Sequence, residues 1–431
     1  MALRFGSSDR HGDTAAALEL LPLSALVSEA GPAGLTAQTE AGPERARRLN
    51  TYSALLREIA RRSGRIETLA RAASAASRAA REAGADKTLT AEALYHQAET
   101  QRLGLVLFAD AEAAEAAISF ADQALSLSPP ALLSVRIKAL KAAVEAALAL
   151  AANDRARALD AAAALEVSTK VLTALRAPME LIAAAAIDRA DLLLGLGSLS
   201  HDRALLTGAE HQLSTLLGRL DPDTAPISWA RAKTLQGQAL VAIGEVAGDA
   251  ASIAEGVAAL KEARAALPLH HSPLDEARAA HALALALQAM GEACDEEALF
   301  DRAVKAFSPA MEALDRTPTL PYRAIVAHDG AVCLARRAER RGDLKALEQA
   351  ELAFREALRT RNAGADPLAW AVTQVALARI YEAEAMLRPD TGERADAAFA
   401  LASALEVFTE RGMRTLSAAA LTALERVRER A

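Results

Sequence analysis

The side chains best suited to chemistry in this chain are its eight histidines, His11, His96, His201, His211, His270, His271, His281 and His328. His270 and His271 precede Pro273, and His281 stands ten residues after His271 on the next expected helix. Three imidazoles are a metal-ligand type, but no cysteine and no i,i+4 histidine pair joins them, so they read as loop and helix-face residues. His328 and Asp329 are neighbours inside an expected helix, where adjacent side chains diverge by about 100°, a poor geometry for a base and its orienting acid. The spacings that build phosphate loops, dinucleotide turns, zinc proteases and serine nucleophiles are absent, and Gly195-Leu196-Gly197 reads as a helix end. Glycan hydrolysis needs paired carboxylates and, usually, aromatic platforms. Eight Phe, four Tyr and two Trp are few to build them from. Cys294 and Cys333 match neither a metal spacing nor a disulfide framework and point to a reducing compartment. The chain is therefore expected to be no enzyme, with no cofactor and no metal.

The elements that would hold any site are repeats. Steps of 47 residues from Ala303 reach Ala350 and Ala397 in one direction, Gly256 and Ala209 in the other. Each is followed four and seven residues later by apolar residues, as in Phe307/Ala310, Phe354/Ala357 and Leu401/Ala404. The frame continues more loosely to Ala164, Ala117 and Ala72. A fixed period of this length means stacked, similar modules. Pro130, Pro178, Pro226, Pro273, Pro321 and Pro367 recur at the same interval and suit the first turn of a helix. Gly64, Gly104, Gly197, Gly244, Gly291 and Gly342 are expected to stop those helices, and Asp202, Asp249 and Asp343 to cap the ones that follow. Eight helix pairs result, at 43–83, 86–128, 130–176, 178–221, 226–268, 273–315, 321–361 and 367–408. A last helix at 411–431 has the polar end that a terminal module needs.

The composition is 52% hydrophobic and only 3% aromatic, so alanine dominates and each interface is thin. A net charge of −7 argues against a nucleic-acid partner. Residues 41–85 carry ten arginines against four glutamates, whereas residues 86–130 carry seven acids against Lys87 and Arg102. Neighbouring modules of opposite sign can attract each other across their packing face. The basic run Arg336, Arg337, Arg340 and Arg341 is interrupted by Glu339 and Asp343 and reads as a solvated face. Trp229 and Trp370, three residues after their prolines, are expected to fasten helix starts to the preceding pair.

The second-helix pattern A-x-x-x-F-x-x-A, as in Ala303/Phe307/Ala310 and Ala350/Phe354/Ala357, is similar to the second helix of tetratricopeptide repeats. The stretches Pro226-Ile-Ser-Trp229-Ala230 and Pro367-Leu-Ala-Trp370-Ala371 resemble the first helix of a long bacterial variant of that family. The likeness covers about residues 43–410, is clear in the last four units and is faint in the first three. Family repeats run to about 34 residues, so the helices here are longer and groove positions transfer only approximately. The resemblance implies an all-α, right-handed α-solenoid, a helical-repeat superhelix whose inner wall is made by the first helices. It further implies a protein–protein interaction scaffold or adaptor holding a protein or peptide partner in its groove. Carried over residue by residue, the groove positions are Arg231, Gln238, Arg278, His281, Gln288, Arg379 and Glu382. Arginine forks and amides suit carboxylates and backbone groups of an extended chain.

Residues 1–42, interrupted by glycine and proline, fit no repeat and are expected to be a flexible tail with room for a short helix, broken at Pro22. Residues 43–410 form the solenoid and 411–431 the capping helix. With no signal-peptide core after Met1 and no uncharged run of the ~18 residues a membrane span needs, a cytoplasmic setting is expected. A sensor of a small molecule or signalling peptide, and a self-assembling structural homo-oligomer, are the competing readings.

Overall fold

A computed structural model describes residues 18–267, 270–315, 321–360, 364, 366–388 and 392–429. Among them every regular element is an α-helix, and the chain is an all-α solenoid. Helix α1 (Leu23–Thr39) precedes a succession of pairs: α2 (Gly42–Ser63) and α3 (Ile66–Glu82), α4 (Lys87–Phe108) and α5 (Ala111–Ser126), α6 (Ala131–Ala151) and α7 (Arg155–Ala174). They continue with α8 (Met179–Ser200) and α9 (Arg203–Leu217), α10 (Pro226–Ala247) and α11 (Ala250–Ala266), α12 (Pro273–Cys294) and α13 (Glu297–Leu314). The last are α14 (Pro321–Arg341) and α15 (Leu344–Thr360), α16 (Pro367–Leu387) and α17 (Glu393–Glu410), with α18 (Arg414–Glu429) at the end. From α6 onward, first helices begin at 131, 179, 226, 273, 321 and 367, the interval of the prolines.

Local sequence chemistry sets these boundaries. Asp86, Asp110, Asp154, Asp202, Asp249 and Asp366 each accept a backbone N–H at a helix start, and Asp343 does the same for Ala346. Such caps contribute about 1 kcal/mol each by satisfying amides that have no partner inside the helix. The glycines divide into two kinds. Gly64 (φ 71°) and Gly342 (φ 59°) end helices in the left-handed region, as expected. Gly104, Gly197, Gly244 and Gly291 do not, for they lie three or four residues inside helices that end at Ala109, His201, Gly248 and Asp295. Their role is close approach. A Cβ on Gly244 would sit 2.6 Å from Ile253 Cγ1, and one on Gly197 would sit 2.8 Å from Leu206 Cδ2. The periodic glycine is where the second helix of a pair crosses the first.

The region before the pairs departs from expectation only in part. Helical residues 18–20 end at Leu21 and Pro22, so the helix is broken there as expected, and Pro22 stands as N-cap of α1 with its carbonyl accepting from Ala25 and Leu26. Pro32 lies inside α1, and its missing N–H is tolerated in a helix that buries Leu26, Ala30, Gly34 and Ala37. Leu26 and Ala30 pack with Leu55, Leu56 and Ile59 of α2. Residues 1–17 of the expected tail lie outside the described residues.

The chain divides into two units, residues 1–286 with 312–320 and residues 287–311 with 321–431. In the first, α2 packs on α3, α4 on α5, α6 on α7, α8 on α9 and α10 on α11, and each first helix from α2 to α8 also touches the next one. Its core is alanine and leucine, such as Ala146, Ala149, Ala158, Leu192, Leu196 and Leu206. In the second, Phe300, Phe354 and Phe408 are fully buried. Trp229 packs on the preceding pair, beside Ala183, Ala186 and Leu213. Trp370 instead packs forward, against Ala404, Phe408 and Ala420.

Candidate functional site

In the first unit, α2, α4, α6, α8 and α10 turn one polar face to a cleft of about 330 Å³. Arg57, Glu58 and Arg61 come from α2, Tyr95, His96, Glu99 and Arg102 from α4, and Arg136, Glu180 and Arg231 from α6, α8 and α10. Spacings of three and four residues put the members of each helix on one side. Leu18 and Glu19 form part of its lining.

The floor of the cleft is a buried ion network. Arg61 holds Glu58 at 2.8 Å and Asp275 at 2.9 Å, and Arg62 Nε reaches Glu58 at 2.6 Å. Arg62 has no exposed surface at all, and its other nitrogens donate to the carbonyls of Leu18, Leu21 (2.7 Å) and His271 (3.3 Å). Burial alone would raise the Glu58 carboxyl; Arg61 and Arg62 outweigh it and hold its pKa at about 2. Asp275 is likewise held well below the ordinary range, because Arg61, Arg231 and Arg278 overcome its burial.

The wall above it mixes both signs. Arg57 Nη1 lies 3.1 Å from His96 Nδ1, and Arg102 pairs with Glu99 at 3.4 Å and Asp188 at 3.6 Å. The Tyr95 hydroxyl donates to Glu99 at 3.1 Å, and burial pushes its own pKa up. Arg136 stacks 4.5 Å over the Tyr95 ring, yet its buried Nε has no hydrogen-bond partner. Burial raises Asp191 nearby, reinforced by Asp188, and lowers Arg231, reinforced by Arg61.

At the edge, the Glu19 carboxylate accepts from the Ser228 backbone N–H at 3.1 Å and from the Ser228 hydroxyl. His271 Nε2 lies 2.7 Å from the Glu19 carbonyl oxygen. Burial raises the Glu19 pKa, and the two bonds from Ser228 oppose that rise.

A second cleft, of about 870 Å³, lies in the second unit and is lined by His328, Arg336, Glu339, Arg379, Glu382 and Arg426 with apolar neighbours. Here successive first helices are joined by ion-pair rungs. Arg379 grips Glu339 at 2.8 and 2.9 Å, and Arg426 grips Glu382 at 2.7 and 3.2 Å. The basic run is paired with the loop before α13 and with α13 itself, while Arg340 and Arg341 stay exposed: Arg337 reaches Asp301 at 3.2 Å, Arg340 reaches Asp295 at 2.7 Å, and Arg341 reaches Glu297 and Asp301.

The expected groove residues are thus split. Arg231 lines the first cleft, and Arg278 lies 3.7 Å from Asp275 at its floor. Gln238 is half-buried on α10 and His281 is buried on α12. Gln288 belongs to the second unit and donates to Glu292 at 3.4 Å. Arg379 and Glu382 line the second cleft and already hold partners there. Of the histidines, His328 is a core residue, edge-on to Phe354 at 5.2 Å and 3.3 Å from the Thr373 hydroxyl. His271 Nε2 faces the Glu19 carbonyl oxygen, and among the described residues no group of three or more acids, cysteines or histidines is arranged to hold a metal. No described helix is long and apolar enough to cross a membrane.

The sequence pointed to Arg231 and Arg278 but not to Glu19, Glu58, Arg61, Arg62 or Arg136. The available signal was the excess of arginine in 41–85 beside the acidic stretch 86–130.

No protein-family model matches the chain, and no curated protein matches it by sequence. Among solved structures, a Rap protein complexed with competence and sporulation factor is similar at TM-score 0.45 and 10% identity, over 90% of this chain and 98% of that one. A monomeric mutant of IFIT1 with m7Gppp-AAAA is similar at 0.43 and 12%, over 89% and 71%. A circular tandem repeat protein with novel repeat topology matches at 0.28 and 17%, over 89% and 96%. These are distant likenesses and assign no residue a role.

Proposed function

We propose that the chain is a non-enzymatic scaffold, a long tetratricopeptide-like repeat of about 47 residues, that binds an extended peptide or protein segment along the first-unit face. The observation that carries the reading is Arg136. Its guanidinium lines the cleft and is stacked on Tyr95, and its buried Nε–H lacks an acceptor. A carboxylate or backbone carbonyl entering the cleft would give this guanidinium a charge-assisted acceptor beside its contact with Tyr95. Around it Arg57, Arg102 and Arg231 can donate to carboxylate or carbonyl groups of such a segment, Glu92, Glu99 and Glu180 can accept from its backbone N–H groups, and Leu103, Leu181 and Ile227 supply apolar contact beside them. The net charge of −7 disfavours a nucleic-acid partner, and the free cysteines suit a cytoplasmic, reducing setting.

An array of synthetic peptides probed with the full chain tests this. The expected result is retention of a discrete set combining acidic and leucine residues, with signal falling about tenfold for Arg136→Glu at unchanged helicity. No retained peptide, an identical set with the variant, or a preference for single-stranded RNA spotted alongside would overturn it.

A further inference from the structure

The first unit holds its own residues 18–21, a helical turn at 18–20 and the bend at Leu21, through side chains far away in sequence, as a groove would hold a short helical peptide. Three successive features of that segment are read in this way. The carbonyls of Leu18 and Leu21 accept from Arg62, the carbonyl of Glu19 faces His271 at 2.7 Å, and the Glu19 carboxylate sits on Ser228, in the first turn of α10. Backbone carbonyls taken by arginine and imidazole are sequence-independent contacts, whereas the carboxylate against a serine and a helix start is a specific one. Arg62 is fully buried beneath this arrangement and is oriented by Glu58, so the site is rigid before anything enters it. Helix α1 starts immediately after Pro22 and is anchored on α2 through Leu26 and Ala30, which keeps the segment close even when it is detached. Leu18 and Glu19 also border the cleft in which Arg136 lacks an acceptor.

We infer that Leu18–Leu21 is a resident ligand: Arg62, Ser228 and His271 form a recognition site for a peptide bearing a glutamate or aspartate beside leucines, and the chain's own segment fills it until such a peptide displaces it. This deepens the proposed function by naming the class of ligand and the step that gates it, and it rests on that face being a peptide-binding wall. The tethered segment competes with any incoming peptide, so apparent affinity falls in proportion to the fraction of molecules in which the segment is detached.

The test uses the full chain and a fluorescein-labelled peptide with the sequence of residues 12–25, followed by anisotropy. Glu19→Lys in the protein places a cation against a helix N-terminus and removes both bonds to Ser228, so it releases the segment. The variant is expected to bind the peptide about tenfold more tightly than the unaltered chain. A peptide carrying Glu19→Gln is expected to bind the variant about tenfold more weakly than the original peptide, the loss of a charge-assisted pair. Equal affinity for both proteins, or no binding to either, overturns the inference. Should Glu19→Lys compromise folding, hydrogen exchange on the unaltered chain decides: excess unlabelled peptide should speed exchange of the amides at 18–21, and unchanged exchange contradicts displacement. Because the probe is the chain's own sequence, failure here and failure of the array to find a partner are separate results.

Discussion

The two units handle charge differently. In the second, arginine and carboxylate meet in rungs near the surface, such as Arg379–Glu339 with side chains 46% and 19% exposed, over a core filled by Phe300, Phe354 and Phe408. The first has exposed pairs too, such as Arg155–Asp202 at 49% and 28%, but at the cleft its pairs are sunk beneath the surface, as in Arg61–Asp275 at 17% and 3%, beside a core of small and aliphatic residues such as Leu55, Leu56, Ile59 and Ala72. Exposed pairs contribute about 0–1 kcal/mol, so the rungs chiefly fix the register of neighbouring first helices. Buried pairs cost desolvation that their attraction only roughly offsets, so stability does not account for them. What the buried set does is hold the 18–21 segment and bind α2 to the loop before α12. The difference separates a unit organised for stacking from one organised around a site.

That contrast can be broken at its strongest point first. Arg62→Met leaves the carbonyls of Leu18, Leu21 and His271 without their donor and removes a cation from Glu58. It should cost about 3–5 kcal/mol in urea unfolding, the penalty of breaking a buried charged network. Gly244→Ala puts a methyl 2.6 Å from Ile253 Cγ1 and 2.7 Å from the Asp249 carbonyl oxygen, and should cost about 1–3 kcal/mol by the same measurement.

Glu384 gives a pH-dependent effect in the second unit. Burial, then the carboxylates of Glu351, Glu393 and Glu348, raises its pKa from 4.5 to about 7, and one of its oxygens has no hydrogen-bond partner. The folded state therefore holds a proton that the unfolded state has lost, so stability falls as pH rises from 4.5 to about 7 and stays reduced above that. Glu384→Gln should flatten this slope and raise the melting temperature at pH 8 but not at pH 4, which thermal scans at the two pH values would show. Smallest of all, Arg379→Ala should change stability by no more than about 1 kcal/mol, whereas a larger loss would mean the rungs carry weight that exposed pairs do not.

The architecture was legible because its signals are local and repeated. Prolines at a fixed interval and aspartates at helix starts each act within one turn, and Pro226, Pro273, Pro321 and Pro367 are the first residues of their helices. The inner glycines were legible as a period but not in their role, since a glycine stop and a glycine crossing leave the same letter. Gly244 is explained only by Ile253 on the facing helix. The site was less accessible still. Glu19 and Ser228 are separated by 209 residues, and Arg62 and His271 also by 209, so no window of sequence brings them together. Arg278 and Arg231 occupy the same repeat position, five residues after Pro273 and Pro226, yet one lies 3.7 Å from Asp275 in its own first turn and the other faces a cleft. The neighbour, not the repeat, decides which arginine is spent on structure.

The most direct test is hydrogen exchange of the full chain with and without a peptide retained on the array. Binding along the first-unit face predicts new protection in α4, α6, α8 and the first turns of α10, with exchange in α14 and α16 unchanged. Protection confined to α14 and α16, or none in either unit, would contradict the assignment of the site to the first unit.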